Sequence, residues 1–273
     1  MHPLSLAFLT VADVGPVEAV HAAAEAGYQK IGFRVLPAGG EADYPLLTDA
    51  ALLRDVRRAL AETGLGVADI EIVRLGAEND WDLFDRFCDR SAELGGKHVL
   101  VAGDDRDRGR LVQSFARFAA MCDARGLTAD LEFMPWTAVR DLTEAREILD
   151  ASGSATAGVL VDALHLDRAG VRLEELASLA PARMHYVQFC DGAKPYDPSD
   201  EGLIRIARSE RLFPGMGGID LVGLARRIPP DVTISVEIPN LAWARRIDPR
   251  GRAAMAREAV LAVLRAATAE DAA

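Results

Sequence analysis

The chain has 273 residues, 50% of them hydrophobic, and a formal net charge of −11 at pH 7. This length allows one large domain with a substantial core, and no apolar run is long enough to span a bilayer. The acidic balance argues against sequence-independent binding to nucleic acid, which relies on clustered Lys and Arg.

Strand-like apolar runs alternate with amphipathic helical stretches along the whole chain. The predicted strands are Leu4–Leu9, Lys30–Val35, Ala68–Val73, His98–Ala102, Thr128–Phe133, Gly158–Asp162, His185–Phe189 and Thr233–Ile238. The predicted helices are Pro16–Ala26, Asp49–Thr63, Trp81–Leu94, Arg108–Arg125, Leu142–Ala151, Leu173–Leu179, Ile219–Arg227 and Pro249–Ala267. Strict alternation is typical of a parallel sheet, and eight repeats favour a closed barrel over an open doubly wound sheet.

The fold class expected is therefore α/β, a (β/α)8 TIM barrel with a single domain over residues 1–267. A short disordered tail is expected at residues 268–273, which are small and acidic. The longest irregular connection is Asp191–Gly218, and a helix is predicted inside it at Glu201–Ser209. A connection of that length in a compact domain is usually functional.

The N-terminal run Leu4–Leu9 is not preceded by a basic segment, so we interpret it as a strand rather than a signal peptide. Cys88, Cys122 and Cys190 are odd in number, far apart and outside any CxxC pattern. That usage is typical of a thiol-reducing compartment, so a cytoplasmic location is expected.

Four apolar runs in the second half of the chain each end at a side chain that is able to bind a metal ion. ADL ends at Glu132, GVLV at Asp162, MHYV at Gln188 and TISV at Glu237. Any one of these side chains alone could equally cap a loop or pair with an Arg. Because the strands of a parallel barrel end at one mouth, the four are expected to converge. An oxygen-rich set favours a hard divalent ion, and carboxylates that converge without a cation repel one another.

Around these strand ends the sequence resembles the xylose isomerase-like TIM barrels, the sugar phosphate isomerase/epimerase family. The segments that carry the resemblance are LEFMPW, VDALHLDRAG, VQFCDG, RLFPGMGGID and SVEIPN. The resemblance implies one metal ion held by Glu132, Asp162, Gln188 and Glu237, with Mn²⁺ or Mg²⁺ expected and Co²⁺ or Zn²⁺ as alternatives. Gln188 departs from the His found in many members, and its amide oxygen shifts the preference toward harder ions.

The resemblance also implies contacts to a substrate. His165, in the pattern D-x-x-H, is implied to contact a substrate oxygen or to support the metal site, and the alternative is a hydrogen-bonded loop histidine. Arg211, which opens R-x-x-P-G-x-G, is implied to bind substrate hydroxyls or a carbonyl. Asp191 and Glu71 are further candidate substrate contacts, although Glu71 equally suits a pair with an Arg.

Other polar side chains are interpreted as structural. His185 lies three residues before Gln188, so strand alternation places it on the opposite face, toward the helices. His98 is given the same structural interpretation. Arg205 and Arg208 fall on a helical pattern and are predicted to be solvated.

The leading hypothesis is proton transfer on a small keto-sugar or a related polyhydroxylated carbonyl compound. The ion would polarise the carbonyl and stabilise the enediolate left by loss of the α-proton. Glu132 and Glu237 are the candidate acid and base, as the matching glutamates are in the epimerases that the sequence resembles. This chemistry is that of a metal-dependent isomerase or epimerase, and the small molecule is the expected partner.

Two alternatives remain open. A dehydratase, or lyase, would expel a β-hydroxyl from the same enediolate of a cyclic keto-polyol such as 3-dehydroshikimate. The long connection after the seventh strand leaves room for a carboxylated substrate through Lys194, Tyr196 and Arg211. A metal-free carbohydrate-binding or regulatory barrel is the alternative of another class.

Several other classes are disfavoured. The segment GMGG does not link a strand directly to a helix, so it does not predict dinucleotide binding. An endonuclease IV-like phosphodiesterase needs many His ligands, and the chain has five His. No nucleic acid and no membrane are expected as partners, while a homo-oligomer is compatible with the sequence.

Overall fold

The computed structural model describes residues 2–38 and 45–269. Eight parallel strands form a closed barrel in chain order, with the last strand paired to the first. The strands are β1 Leu4–Leu6, β2 Lys30–Arg34, β3 Gly66–Leu75, β4 His98–Gly103, β5 Thr128–Glu132, β6 Gly158–Asp162, β7 Tyr186–Phe189 and β8 Thr233–Val236. The prediction of a single-domain (β/α)8 barrel is confirmed.

Helices surround the barrel wall. Within the described residues they are α1 Pro16–Ala26, α2 Ala50–Thr63, α3 Trp81–Glu93, α4 Arg108–Asp123, α5 Leu142–Ser152, α6 Ala163–Arg168, α7 Asp200–Ser209, α8 Leu221–Ala225, α9 Leu241–Ala244 and α10 Pro249–Ala269. Many of them begin after an Asp whose carboxylate accepts backbone N–H groups of the first turn, as at Asp49 and Asp141. None of the described helices combines the length and the apolar character that crossing a bilayer requires.

The helices differ from the predictions mainly where they are short. The helix predicted at Leu173–Leu179 is a 3₁₀ helix at Leu173–Ser178, and the one predicted at Ile219–Arg227 is limited to α8. The short helices α6 and α9 were not predicted, because four to six residues are too few to show helical periodicity. α10 extends to Ala269, so part of the predicted tail is helical, and residues 270–273 lie outside the described residues.

Alternate residues along the strands divide the interior into two cores. Val99 and Val161 face the helices and belong to the large hydrophobic core between the two layers. Leu100, Leu160 and Tyr186 face the barrel axis and form a smaller cluster. The axis also holds fully buried polar residues, which include Ser5, Asp69, Asp130 and Ser235. The same axial face continues upward to the metal-ligand candidates at the strand ends.

The N-terminal end of the axis holds a pair of histidines on one carboxylate. His185 Nδ1 lies 2.6 Å from Asp130 Oδ1, and its ring stacks on that of His98 with centroids 5.3 Å apart. The prediction that His185 faces the helix layer is wrong. His185 precedes the first residue of β7 and turns toward the axis, where Asp130 shares the axial face of β5 with Glu132.

We expect Gly158→Ala to lower the free energy of unfolding by about 1–3 kcal/mol, because the added methyl overpacks the axis. A Cβ at this position would lie 2.4 Å from Asp130 Oδ1 and 2.6 Å from His185 Nδ1. Urea unfolding followed by circular dichroism measures the change. Gly66→Ala is the matched control, since its Cβ would meet nothing nearer than Lys30 Cγ at 3.6 Å. Equal midpoints for the two variants would contradict the close approach at Gly158.

Candidate metal centre

The four strand-end side chains lie at the C-terminal mouth of the barrel and are all buried. Glu132 is the last residue of β5, Asp162 is the last of β6, and Glu237 directly follows β8. In the strand pairing, Asp162 is the partner of Gln188 on β7, and Gln188 is the partner of Ser235 on β8. The barrel register therefore brings three carboxylates and one amide to neighbouring positions of one rim.

Arg211 lies between two of these carboxylates. Its Nη1 is 2.5 Å from Asp162 Oδ2, and its Nη2 is 2.9 Å from Glu237 Oε2. Its Nε donates to the carbonyl of Ala207, which fixes the guanidinium against α7. The guanidinium thus supplies one fixed positive charge to a site that holds several carboxylates.

The carboxylates of the site differ in their affinity for protons. Burial, followed by the charges of Asp162 and Glu237, raises the pKa of Glu132 well above its usual value. Burial also raises the pKa of Glu237 to about 8, although Arg211 opposes the shift. Burial acts in the same direction on Asp162, but there Arg211 prevails and the pKa is lowered. Arg211 therefore favours the ionised form of Asp162, whereas burial favours the protonated forms of Glu132 and Glu237. A further cation at the site would favour the ionised forms of all three.

Gln188 provides a direct test of whether a metal ion fits. Its Nε2 donates to Glu237 Oε1 at 3.2 Å and points to Glu71 Oε1 at 3.5 Å. Its Oε1 is buried and has no hydrogen-bond partner among the described residues. Buried polar atoms are normally satisfied, so an unpartnered oxygen beside carboxylates fits a hard divalent cation.

His165, on α6, lies beside the same site. Ligand atoms of His165, Glu132 and Asp162 all lie within 4.8 Å of one another, and His165 Nε2 is 3.7 Å from Glu132 Oε1. Burial lowers the pKa of His165 to about 4, with Arg211 and Arg168 adding to the effect. The ring is therefore neutral at pH 7, and its buried Nδ1 lacks a partner within the described chain. A neutral imidazole can accept a hydrogen bond or bind a metal ion.

Two predicted substrate contacts have protein partners in the structure. Glu71 is buried and pairs with Arg34, whose Nη2 is 2.7 Å from Glu71 Oε2. This contact is the Arg pair that the sequence left open as an alternative. The carboxylate of Asp191 accepts backbone N–H groups from Gly192, Gly215, Gly217 and Ile219. Asp191 thus holds the turn that follows Arg211.

Two other groups of the long connection also have protein partners. Lys194 Nζ lies 2.6 Å from Asp167 Oδ1. The guanidinium of Arg168 lies over the ring of Tyr196 in a cation–π contact, 3.8 Å from the ring centroid. Neither Lys194 nor Tyr196 lines the cavity above the metal-ligand candidates.

A cavity of about 70 Å³ opens above Glu132 and Glu237, beside a larger cleft of about 490 Å³. Arg34 and Arg208 line both spaces, and Arg74 lines the smaller one. Arg208 is exposed and makes no hydrogen bond or ion pair within residues 2–38 and 45–269. The sequence predicts a solvated Arg208, and the side chain is indeed exposed. α7 ends at Ser209, so helical spacing does not relate Arg208 to Arg211, and the sequence holds no signal that places Arg208 near the site.

A closed parallel barrel with a carboxylate-rich set of ligand candidates at its C-terminal mouth is the architecture of a TIM-barrel enzyme. The chain belongs to the xylose isomerase-like TIM barrel family, whose profile matches residues 20–265. This match confirms the family resemblance seen in the sequence.

Individual relatives differ in activity. The chain is 28% identical over 185 residues to a 3-dehydroshikimate dehydratase of Pseudomonas aeruginosa, covering 62% of this chain and 28% of that protein. The match therefore spans less than a third of the length of that curated relative. An IOLI protein with a bound zinc atom has a TM-score of 0.76 at 16% identity, covering 96% of this chain and 98% of that one. An L-ribulose 3-epimerase has a TM-score of 0.69 at 19% identity, covering 99% and 97%. The two solved structures show the shared fold.

We expect Gln188→His to shift the metal preference of the site from Mg²⁺ toward Zn²⁺ by about tenfold or more, because imidazole suits softer ions than an amide oxygen does. Competition dialysis of the two ions, followed by elemental analysis, measures the ratio, after subtraction of the zinc that the chain with Asp162→Asn and Glu237→Gln still binds. Gln29→His, outside the barrel mouth, is the control for an added imidazole. An unchanged ratio in Gln188→His would argue that the amide is not a ligand.

Proposed function

We propose that this protein is a divalent-metal-dependent isomerase or epimerase of a small keto-sugar or a related polyhydroxylated carbonyl compound. The observation that carries the proposal is the unpartnered buried oxygen of Gln188 among three carboxylates at the barrel mouth. The proposed ligands are Glu132, Asp162, Gln188 and Glu237, with Mn²⁺ or Mg²⁺ as the ion and Co²⁺ or Zn²⁺ as alternatives. When bound, the ion would supply the Lewis acidity that makes the α-proton of a carbonyl substrate removable.

Glu132 and Glu237 are the proposed proton carriers. Both carboxylates are buried at the mouth of the barrel, and a general acid or base must lie within hydrogen-bond reach of the proton that it moves. The two side chains come from β5 and from the end of β8, on separate parts of the barrel rim. An epimerase needs carriers on both sides of the carbon, one to remove the proton and one to return it.

Arg211 and His165 are proposed to position these groups. The contact of Arg211 with Asp162 and Glu237 keeps Asp162 ionised and fixes the orientation of Glu237. The neutral ring of His165, packed edge-on against Trp136 at 5.0 Å between centroids, faces Glu132. It is suited to accept a hydrogen bond from a substrate hydroxyl without adding charge.

A second candidate is a dehydratase of a carboxylated cyclic keto-polyol such as 3-dehydroshikimate. The exposed Arg208 guanidinium at the rim of the cavity favours it, since an unpaired Arg suits a substrate carboxylate. The similarity to the Pseudomonas aeruginosa dehydratase points the same way. The difference from the first candidate lies after proton removal, because a β-hydroxyl leaves instead of a proton returning.

Deuterium exchange in ²H₂O separates these candidates. Metal-loaded protein is incubated with keto-sugars and with cyclic keto-polyols, and the products are followed by NMR and mass spectrometry. Metal-dependent deuterium incorporation with an epimer or isomer supports the first candidate, and loss of one water molecule supports the second. Exchange that persists unchanged after the metal is removed would contradict both. Sugar binding without metal binding or turnover would favour the metal-free binding or regulatory barrel.

The state of the cysteine thiols supports a proposal for the cellular location. Cys88, Cys122 and Cys190 are free and buried. Unpaired thiols are usual in a reducing compartment. We therefore propose a cytoplasmic location.

A further inference from the structure

We propose that the barrel has a second metal site, at the N-terminal end of its axis, where His98, Asp130 and His185 bind a zinc-like transition-metal ion. This site is distinct from the one at the mouth. Asp130 lies two residues before Glu132 on the same strand, which is about 6.6 Å earlier along that strand at 3.3 Å per residue. It would have its own ligands and a different preference for ions.

The donor atoms of the three side chains already converge. His185 Nδ1 is 2.6 Å from Asp130 Oδ1, and His98 Nδ1 is 3.8 Å from Asp130 Oδ2. Ligand atoms of all three side chains lie within 4.8 Å of one another. Donors about 2.0–2.1 Å from a tetrahedral ion are roughly 3.3 Å apart, so small side-chain rotations suffice.

The surroundings hold the three ligands in place. Thr128 Oγ1 donates to Asp130 Oδ2 at 2.5 Å and lies 2.8 Å from His98 Nδ1. The two imidazole rings are almost parallel, with an angle of 5° between their planes. Gly158 leaves free the space beside Asp130 and His185 that a Cβ would fill. Support of this kind for ligand side chains is typical of metal sites.

The site is open to solvent from the N-terminal face. The side chains of His98 and His185 are each 18% exposed, while Asp130 is fully buried. An ion can therefore reach the exposed parts of the two side chains from solvent, and water can complete its coordination. The buried carboxylate supplies the charge that attracts the ion, and the half-buried rings supply two nitrogen ligands.

The donor set predicts which ion binds. Two imidazoles and one carboxylate suit Zn²⁺, Ni²⁺ or Cu²⁺, whereas the oxygen set at the mouth suits Mn²⁺ or Mg²⁺. Burial lowers the pKa of His98 to about 4, so the ring is neutral at pH 7. Thr128 Oγ1 gives its hydrogen to Asp130 and therefore accepts one from His98 Nδ1. An ion bound at Nδ1 would replace that hydrogen bond, with the ring proton on Nε2. The ion would replace the proton that His185 and Asp130 now share.

Zinc stoichiometry in a chain without the mouth site tests the proposal. The background carries Asp162→Asn and Glu237→Gln, the affinity tag is removed, and bound zinc is counted by elemental analysis after equilibrium dialysis. We expect about one equivalent of zinc to remain. Adding His98→Gln or His185→Gln removes a ligand and should weaken zinc binding by more than the roughly tenfold that loss of an outer partner of a ligand costs. His21→Gln, on α1, is the matched control and should leave zinc binding unchanged.

The test separates this inference from the proposed function. If the background variant retains no zinc while it is folded by circular dichroism and the unmodified protein binds one ion, the N-terminal site is wrong and the proposed function is unaffected. Should the background variant fail to fold, His98→Gln in the otherwise unmodified chain decides instead, because an unchanged zinc count there would overturn the proposal. Retained zinc that neither His98→Gln nor His185→Gln weakens would also overturn the proposal. Should His185→Gln disturb folding, His98→Gln still tests the site, because it keeps the bond between His185 and Asp130. The absorption spectrum of bound Co²⁺ gives a second readout that does not depend on enzyme activity.

Discussion

Replacing Glu237 with Gln should lower the metal-dependent turnover of this protein by about 10³-fold or more, since it removes a proton carrier and a metal ligand together. Glu237 follows β8 directly, accepts from Gln188 through Oε1 and pairs with Arg211 through Oε2. Gln keeps the length of the side chain but cannot carry the proton or the charge. The α-proton exchange rate in ²H₂O is the measurement, and it should fall together with product formation.

Glu258→Gln is the matched control for this substitution. Glu258 is 64% exposed and pairs only locally with Arg257. The control should keep the exchange rate of the parent protein. An exchange rate in Glu237→Gln within a factor of a few of the parent would contradict the proposed role, provided that the variant is folded by circular dichroism.

Arg211→Gln should destabilise the metal-free protein by about 3–5 kcal/mol, because it leaves two buried carboxylates without their partner. Both the Arg211 and the Asp162 side chains are almost fully buried, at 3% and 0% exposed. Glu237 can take up a proton when Arg211 is lost, whereas Asp162 has a lowered pKa and depends on the guanidinium more strongly. Urea unfolding in the presence of a chelator measures the loss.

A bound divalent ion should offset much of this loss, because it supplies positive charge to the same two carboxylates. The stability difference between the parent and Arg211→Gln should therefore be smaller in excess Mn²⁺ than in chelator. Arg227→Gln is the control, since Arg227 is 35% exposed, pairs with an exposed Glu174 and should cost about 1 kcal/mol or less. Equal losses with and without Mn²⁺ would contradict a shared site for the ion and Arg211.

The barrel could be predicted from the sequence because its signals are local. Each strand is an apolar run between amphipathic helices. Eight strand–helix repeats are the number that a closed parallel barrel contains. The convergence of Glu132, Asp162 and Glu237 followed from the same rule, since parallel strands end at one mouth. These three positions could be predicted without knowing which side chains lie beside them in the fold.

What could not be predicted depends on contacts between distant parts of the chain. His185 was placed by strand alternation, but it lies one residue before β7, where alternation no longer holds. Asp191 stays a predicted substrate contact, but the sequence did not indicate that its carboxylate accepts N–H groups that lie 24 to 28 residues later, in the turn after Arg211. Arg208 lines the cavity only because α7 packs against the mouth. Side-chain partners of this kind become visible only once the fold is known.

The most direct test of the proposed metal site is a crystal structure of the protein soaked in Mn²⁺, with the ion located by its anomalous scattering. We expect one strong peak at the C-terminal mouth, in contact with Glu132, Asp162, Gln188 and Glu237. The absence of a peak at saturating Mn²⁺, with Arg211 still bonded to Asp162 and Glu237 and the Gln188 oxygen still unpartnered, would contradict the proposed site.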